Sequence, residues 1–450
     1  MPSPAISISP GPDVWRSAMA CASTNHTRDR ETLGLPADRA IVMSGHQPVL
    51  WHAGILAKLL AATELAARTG AAVCWIVADM DEVDPTTVRV PSGSGTAATS
   101  RAVRLLSGDP PGPGIPAGAL PSRTPAEDDD ATAGLAPLLD AYAFEPTLAM
   151  QVGRAVIDHA CERFGIDPPI VITCSDLIAT DAWHALVDAM RDHAHACVEA
   201  YNRGVAAHPE ARMRPLQSRN GRHELPLWRV RPGGPRTAVF NDQLGSIPPE
   251  QLRPRALAMT ALVRASLCEL FVHGTGGGIY DRITDDWLGA WKARPDWTLA
   301  PTSVATADAY ADFGIEAADL PDPARAVWDA HHARHDPAML GDADAAARKS
   351  GLVDRIATIK SRGGDPSETF AELHTLLAES RERHADRLAR LDRRAADARR
   401  HAAIRALATD RTWPWPTLAE TTLDALHRGI RDWFAPVPSP ACTDAASCSR

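Results

Sequence analysis

Apolar and polar residues follow one another along this chain in blocks of strand and helix length. Residues 39–44 form a short apolar run ending at Gly45, which reads as a buried strand. Leu56, Leu59, Leu60, Ala62, Thr63 and Ala66 then recur at helical spacing, so a helix is predicted over 54–69, with Gly70 as its stop. A second apolar run, 71–78, leads into the acidic turn Asp79 to Asp84. Strand, turn, helix and strand make a βαβ unit, which implies a parallel sheet with a right-handed crossover.

Residues 91–135 are rich in Gly, Pro and Ser and carry the acidic run 127–130, so a long surface insertion with little structure is expected there. Helical patterns cover 136–165 and 181–203. Between them lies a strand-like run at 169–174, with Ser175 and Asp176 as helix caps. Short strands are expected at 227–230 and 237–240. The apolar stretch 256–272 ends as a strand over 267–272, passes into the Gly-rich segment 273–278 and reaches a helix start near Tyr280.

Residues 366–409 have no Gly or Pro after Pro366 and read as one long polar helix. Leu377, His384, Leu391 and Ala398 fall seven apart, and Leu373, Leu388 and Ala395 add to the stripe. It is a weak coiled-coil-like seam, or a face that packs back on the core. The expected organisation is an N-terminal extension at 1–38, an α/β core at 39–330, a helical arm at 331–434 and a disordered tail at 435–450, with loose ends at 1–30 and 435–450.

Composition narrows the class. The 450 residues are 45% hydrophobic and 23% charged, enough for two or three domains, or one large core with insertions, that need neither disulfide nor metal to stay folded. A net charge of −9 argues against general nucleic-acid binding, which needs excess Lys and Arg. No run of 18 apolar residues marks a membrane span, and no basic-then-apolar start marks a secretory signal. The eight cysteines form no C-x-x-C pair, which suits a reducing compartment, so a cytoplasmic location is expected. Lysine occurs only as Lys58, Lys292, Lys349 and Lys360, so a lysine inside a motif stands out.

Three segments could carry chemistry. Gly45-His46-Gln47 through His52 and Gly54 to Lys58 lies between a strand and a helix N-terminus, where backbone N–H groups and the helix dipole favour an anion. Both histidines could donate to phosphate oxygens, and Lys58 could reach the same anion. The other reading is a plain βα turn. Asp79, Asp81 and Glu82 end a parallel strand at the same sheet edge and could bind a ribose, an amine or Mg²⁺, or form a solvated acidic turn. His273, Gly274, Gly276 and Gly277, with Tyr280 and Asp281, look like a phosphate-binding turn or a tight turn chosen for positive φ. The spacing is neither G-x-G-x-x-G nor a Walker A loop.

Taken in order, these segments resemble the bacillithiol biosynthesis cysteine-adding enzymes (BshC, cysteine ligases). That family's Gly-Gln-Gln-Pro-Gly-Leu segment and following lysine are similar to Gly45 to Leu50 and Lys58. Its Phe-Trp-Ile strand and acidic stretch are similar to Cys74-Trp75-Ile76 and Asp79 to Asp84. Its Arg-Pro stretch and Gly-rich turn are similar to Arg253-Pro254 and Gly274 to Tyr280. The likeness covers residues 39–90 and 250–410. His46, Val49 and Gly278 differ from the family letters, and the family's Glu-Asp-His-Asp pattern is reduced to Ala78-Asp79-Met80-Asp81.

The resemblance implies a Rossmann-like core with inserted segments, a C-terminal coiled coil that dimerises, and condensation of cysteine with glucosaminyl malate. The expectation is therefore a ligase joining cysteine or another amine to a carboxylate-bearing or amino-sugar substrate. ATP or ADP is the implied cofactor, Mg²⁺ is left open, and a homodimer through 366–409 is expected. His46, His52, Lys58 and Asp81 would be catalytic. Gly45, Gln47, Gly54, Asp79, Glu82, His273, Gly274, Gly276, Gly277, Tyr280 and Asp281 would bind substrate or nucleotide. A nucleotidyltransferase on the same core, or a non-catalytic ligand-binding or scaffolding dimer, are the alternatives.

Overall fold

The computed structural model describes residues 3–20, 27–127, 129–291, 297–315 and 323–435. It falls into two compact units, residues 91–100 with 312–410, and the remainder. The strands are β1 (Ala5–Ser9), β2 (Ile41–His46), β3 (Ala72–Val77), β4 (Thr87–Ser92), β5 (Thr99–Arg104), β6 (Ile170–Thr173), β7 (Ser218–Arg219), β8 (Arg222–Arg229), β9 (Thr237–Phe240), β10 (Leu252–Pro254), β11 (Leu270–His273) and β12 (Thr302–Asp308). The helices of the larger unit are α1 (Pro12–Ala20), α2 (Thr27–Thr32), α3 (Ala53–Thr69), α4 (Leu135–Ala141), α5 (Leu148–Phe164), α6 (Asp181–Asp192), α7 (Ala194–Ala207), α8 (Ala256–Ser266) and α9 (Thr275–Trp291).

The larger unit is built on a six-stranded, mostly parallel sheet of order β1-β12-β11-β2-β3-β6, as the βαβ pattern required. Only β1 is antiparallel, pairing Ala5 with Asp308 through Ser9 with Val304. The parallel strands read as continuous apolar runs because both faces are covered. Ile41, Met43, Cys74 and Ile76 point to one face, where they join a core with Trp183, Leu257, Ile283 and Trp287 from α6, α8 and α9. Trp75 and Val77 point to the other, toward Trp51 and α5. A small antiparallel sheet of β7 to β10 is joined to the chain beside this core.

The connections define the site. β2 passes through α3 to its neighbour β3, and β11 passes through α9 to its neighbour β12. β2 and β11 are adjacent, yet the chain leaves them in opposite directions. The carboxyl ends of these two strands therefore flank a crevice at a reversal of strand order, the position where open α/β sheets bind ligands.

Several expectations need correction. The N-terminal segment is not loose: β1 is an edge strand, Trp15 is fully buried against Trp433 and Phe434, and Arg30 is buried. An edge strand is held by backbone hydrogen bonds, which a polar composition does not reveal. The insertion at 91–135 contains β5 and short 3₁₀ turns, with Val103, Leu105, Leu106 and Ala117 buried and Arg101 paired bidentately with Asp129. The helix expected over 136–165 is two helices, α4 and α5, and that over 181–203 breaks at His193 into α6 and α7. Residues 436–450, like Lys292, lie outside the described residues.

The smaller unit contains α10 (Pro323–His332), α11 (Ala343–Ser361), α12 (Ser367–Arg383) and α13 (Ala385–Ala408). The single helix expected over 366–409 is interrupted at His384. Asp342 explains the break, because it accepts from Ser380 and Arg383 and pairs with His384, gathering the chain around the start of α11. Leu377, Ala395 and Ala398 of the expected stripe are buried within this unit, so part of the seam packs back on its own chain. Residues 411–435 belong to the sheet unit, where α14 (Glu420–Trp433) packs on α3.

Candidate active site

Gly45 sits where β2 closes on β3. A Cβ there would lie 2.3 Å from the Ile76 carbonyl oxygen, so only glycine fits. Lys58, on the second turn of α3, reaches back and donates its ammonium to the Gly45 carbonyl. It is 5% exposed, and its Nζ stands 5.3 Å from the Trp75 ring centroid. Burial lowers its pKa to about 7.

His46 follows Gly45 and donates Nδ1–H to the Gln47 carbonyl at 3.3 Å. Burial, then the positive charge of Lys58, lowers its pKa to about 3, so the ring is neutral and its Nε2 is an acceptor. His52 caps α3, its Nδ1 accepting from the Gly54 N–H at 3.0 Å. That bond occupies one of the helix-end donors expected to face an anion. A Cβ on Gly54 would lie 2.8 Å from Thr306 Oγ1, so His52 and Gly54 lean toward β12, where Arg411 pairs with Asp308.

On the other side of the crevice, His273 ends β11. It is 3% exposed, and its Nε2 donates to Asp281 at 3.0 Å. Asp281 also receives Arg264 at 2.8 Å. Burial lowers the His273 pKa; Asp281 opposes this, and Lys58 adds to it. Burial pushes the Asp281 carboxyl up, but His273 and Arg264 bring it below the ordinary value. Lys58 thus acts electrostatically on both His46 and His273, and a Cβ on Gly274 would lie 3.9 Å from Lys58 Cδ.

The glycines after β11 are not a turn. Thr275 through Gly278 form the first turn of α9, and none of the three glycines has a positive φ. They permit close packing: a Cβ on Gly277 would lie 2.5 Å from His273 Nδ1, and one on Gly278 would lie 2.5 Å from Val304. Gly276 has nothing within 4 Å. Tyr280 stacks edge-on against His273 with ring centroids 5.8 Å apart, and its hydroxyl pKa is raised by burial, then by Asp281 and Asp81.

The acidic turn is tied down by partners that spacing does not reveal. Gln47 donates to Asp81 at 3.0 Å, joining the first and second segments. Arg236 from the β8–β9 region binds Asp81 at 3.0 Å, Glu82 at 2.9 Å and the Met80 carbonyl. Asp79 turns elsewhere: it accepts both the N–H and hydroxyl of Ser175, and Arg253 Nε donates to that hydroxyl at 2.6 Å. Burial raises the Asp79 pKa to about 6, against the pull of Ser175 and Arg253. Ser175 therefore serves Asp79 and makes no side-chain cap bond.

The three sequence segments thus meet at one sheet edge. Gly45, His46, Lys58, His273 and Gly274 form its centre, and Gln47, Asp81, Glu82 and Arg236 form its rim. No protein-family model matches this chain, and no curated protein is significantly similar to it.

Proposed function

We propose that the chain is a Rossmann-like carbon–nitrogen ligase that joins an amine, cysteine in the reading its motifs support, to a carboxylate-bearing or amino-sugar substrate. The observation that carries this reading is Lys58, a buried amine near neutrality held between the ends of β2 and β11. His46 beside it is a neutral imidazole and burial lowers the His273 pKa, so Lys58 is the amine of this centre among the described residues. In its neutral form it takes the proton from the attacking ammonium of the substrate. As an ammonium it then opposes the charge developing on the acyl oxygen. Asp81, oriented by Gln47 and Arg236, would orient the substrate amine.

ATP or ADP fits one feature of the crevice. The first turn of α9 leaves Gly276 open, and Gly274 lies over Lys58. When bound, a nucleotide would supply activation of the carboxylate, whose C–O bond would break as the C–N bond forms, the oxygen leaving on the transferred phosphoryl or nucleotidyl group. No group of three His, Cys, Asp or Glu side chains among the described residues is arranged to hold a metal, and an Mg²⁺ brought with the nucleotide would need only one or two carboxylates beside the phosphates. No described helix is long and apolar enough to cross a membrane. In this reading the helical unit mediates dimerisation through surfaces of 366–409 outside the stripe it already buries.

The test is thermal denaturation of the full chain with ATP, ADP, cysteine and an amino-sugar malate, added singly and together. Ligand at one hundred times its Kd stabilises by about 2.7 kcal/mol, a shift of a few degrees. Stabilisation and product formation are expected, and both are expected to disappear in His46→Ala/Lys58→Met. Unchanged binding and turnover in that variant would remove the proposal.

A further inference from the structure

The charge of α13 runs against that of the chain. Its 24 residues carry seven arginines and three aspartates, a net +4, where the whole chain has −9. Two of the aspartates are engaged, Asp392 by Arg334 of α10 at 2.7 Å and Asp397 by Arg400. The other six arginines, Arg387, Arg390, Arg393, Arg394, Arg399 and Arg405, are exposed and make no side-chain hydrogen bond or ion pair among the described residues.

Most of these free guanidinium groups share a face. Arg387, Arg390, Arg394 and Arg405 recur at intervals of three, four and eleven residues, which places them along one side of the helix, and Arg393 stands beside Arg390 and Arg394. From Arg387 to Arg405 the row is roughly 27 Å long at 1.5 Å per residue. The helix is anchored from elsewhere: Ala395 and Ala398 are buried, and α10 packs on it.

What the face lacks selects its partner. No large apolar side chain of α13 is exposed, so it has no anchor for the desolvated centre of a protein interface and nothing to enter a membrane. The helix contains no Phe, Tyr or Trp on which unpaired bases could stack. Guanidinium forks match phosphate oxygens two at a time, and a duplex presents one phosphate charge per roughly 1.7 Å of its axis. We infer that this face of α13 docks on the phosphate backbone of a nucleic-acid duplex. The net charge of the chain counts against binding over its whole surface, and this helix is the local exception. None of these residues belongs to the crevice, so the inference does not depend on the activity proposed there, and a dimer contact through the remaining faces of 366–409 leaves the row open.

Fluorescence anisotropy of the full chain with a labelled 24-base-pair duplex tests it. Saturable binding is expected, and four phosphates neutralised would weaken it roughly a hundredfold between 50 and 200 mM salt. Arg390→Gln/Arg393→Gln/Arg394→Gln should weaken binding at least tenfold at 50 mM salt and lower the salt slope by about three, with the thermal midpoint retained because these side chains have no partners to lose. Arg203→Gln/Arg219→Gln/Arg231→Gln changes the charge equally at exposed positions of the sheet unit and should leave affinity within about twofold. No binding at 50 mM salt, unchanged binding in the α13 variant, an equal loss in the sheet-unit variant, or tighter binding to poly-glutamate or to anionic lipid vesicles than to the duplex would each overturn the inference.

Discussion

Replacing Lys58 with Met should stabilise the fold and destroy the site. The side chain is 5% exposed, and burial brings its pKa from 10.5 to about 7. At about 1.4 kcal/mol per pKa unit, the folded state loses roughly 4 kcal/mol at pH 7 by holding this amine. Its hydrogen bond to the Gly45 carbonyl returns about 1.5–3 kcal/mol of that. Met fills similar volume without charge, so a net gain of about 1–3 kcal/mol is expected at pH 7. Between the folded and unfolded pKa the unfolded chain binds more protons, so wild-type stability rises with pH from about 7 to 10.5. The advantage of Lys58→Met is therefore largest below pH 7 and vanishes near pH 10.5. Urea denaturation at pH 6, 8 and 10 reads this through tryptophan fluorescence, dominated by the buried tryptophans of the sheet unit. A pH-independent difference, or a loss of stability at pH 6, would refute the reasoning.

Three further outcomes follow from the same geometry. Arg30 and Glu269 form a buried ion pair at 2.6 Å, and Glu269 also accepts from the Ile41 N–H; Arg30→Ala should cost about 3–5 kcal/mol in urea denaturation. Gly277→Ala should destabilise by about 1–3 kcal/mol, because its Cβ would press on the His273 ring, while Gly276→Ala, in open space, should stabilise by up to about 1 kcal/mol. Asp79 keeps its proton to about pH 6 in the folded state, so its contribution to stability falls as pH rises from about 4 to 6, by up to about 3 kcal/mol. Asp79→Asn should remove that slope from urea midpoints measured at pH 4.5 and 7, and an unchanged slope would show that another group sets it.

The parts of this architecture that were legible before the structure are those whose signal is local. β2, α3 and β3 follow from an apolar run, a helical spacing and a glycine stop, and each falls within a few residues of its expected bounds. β1 does carry an apolar–polar alternation, Ala5-Ile6-Ser7-Ile8-Ser9, but the Pro and Ser residues around it read as a loose end, and its partner β12 lies at the far end of the core sequence. The start of α9 was misplaced because glycine is a poor helix former, yet Gly277 and Gly278 are needed where the helix presses on His273 and Val304. Arg236 and Ser175 carry no signal at all in one dimension. They are 155 and 96 residues from the carboxylates they hold, and only the folded chain brings them there.

Protonation is a further property that spacing could not convey, and it changes the chemistry assigned to the crevice. Read as residue types, His46, His52 and Lys58 make a cationic cradle for phosphate. Folded, His46 is a neutral ring, His52 spends Nδ1 on accepting the Gly54 N–H, and His273 donates an Nε2–H hydrogen bond to Asp281. The single amine left among them is poised near pH 7, with Asp81 across the rim. That balance favours a site that receives a proton from an amine over one that merely neutralises an anion. It also gives a physical reason for one of the chain's four lysines to stand in a place that lowers stability.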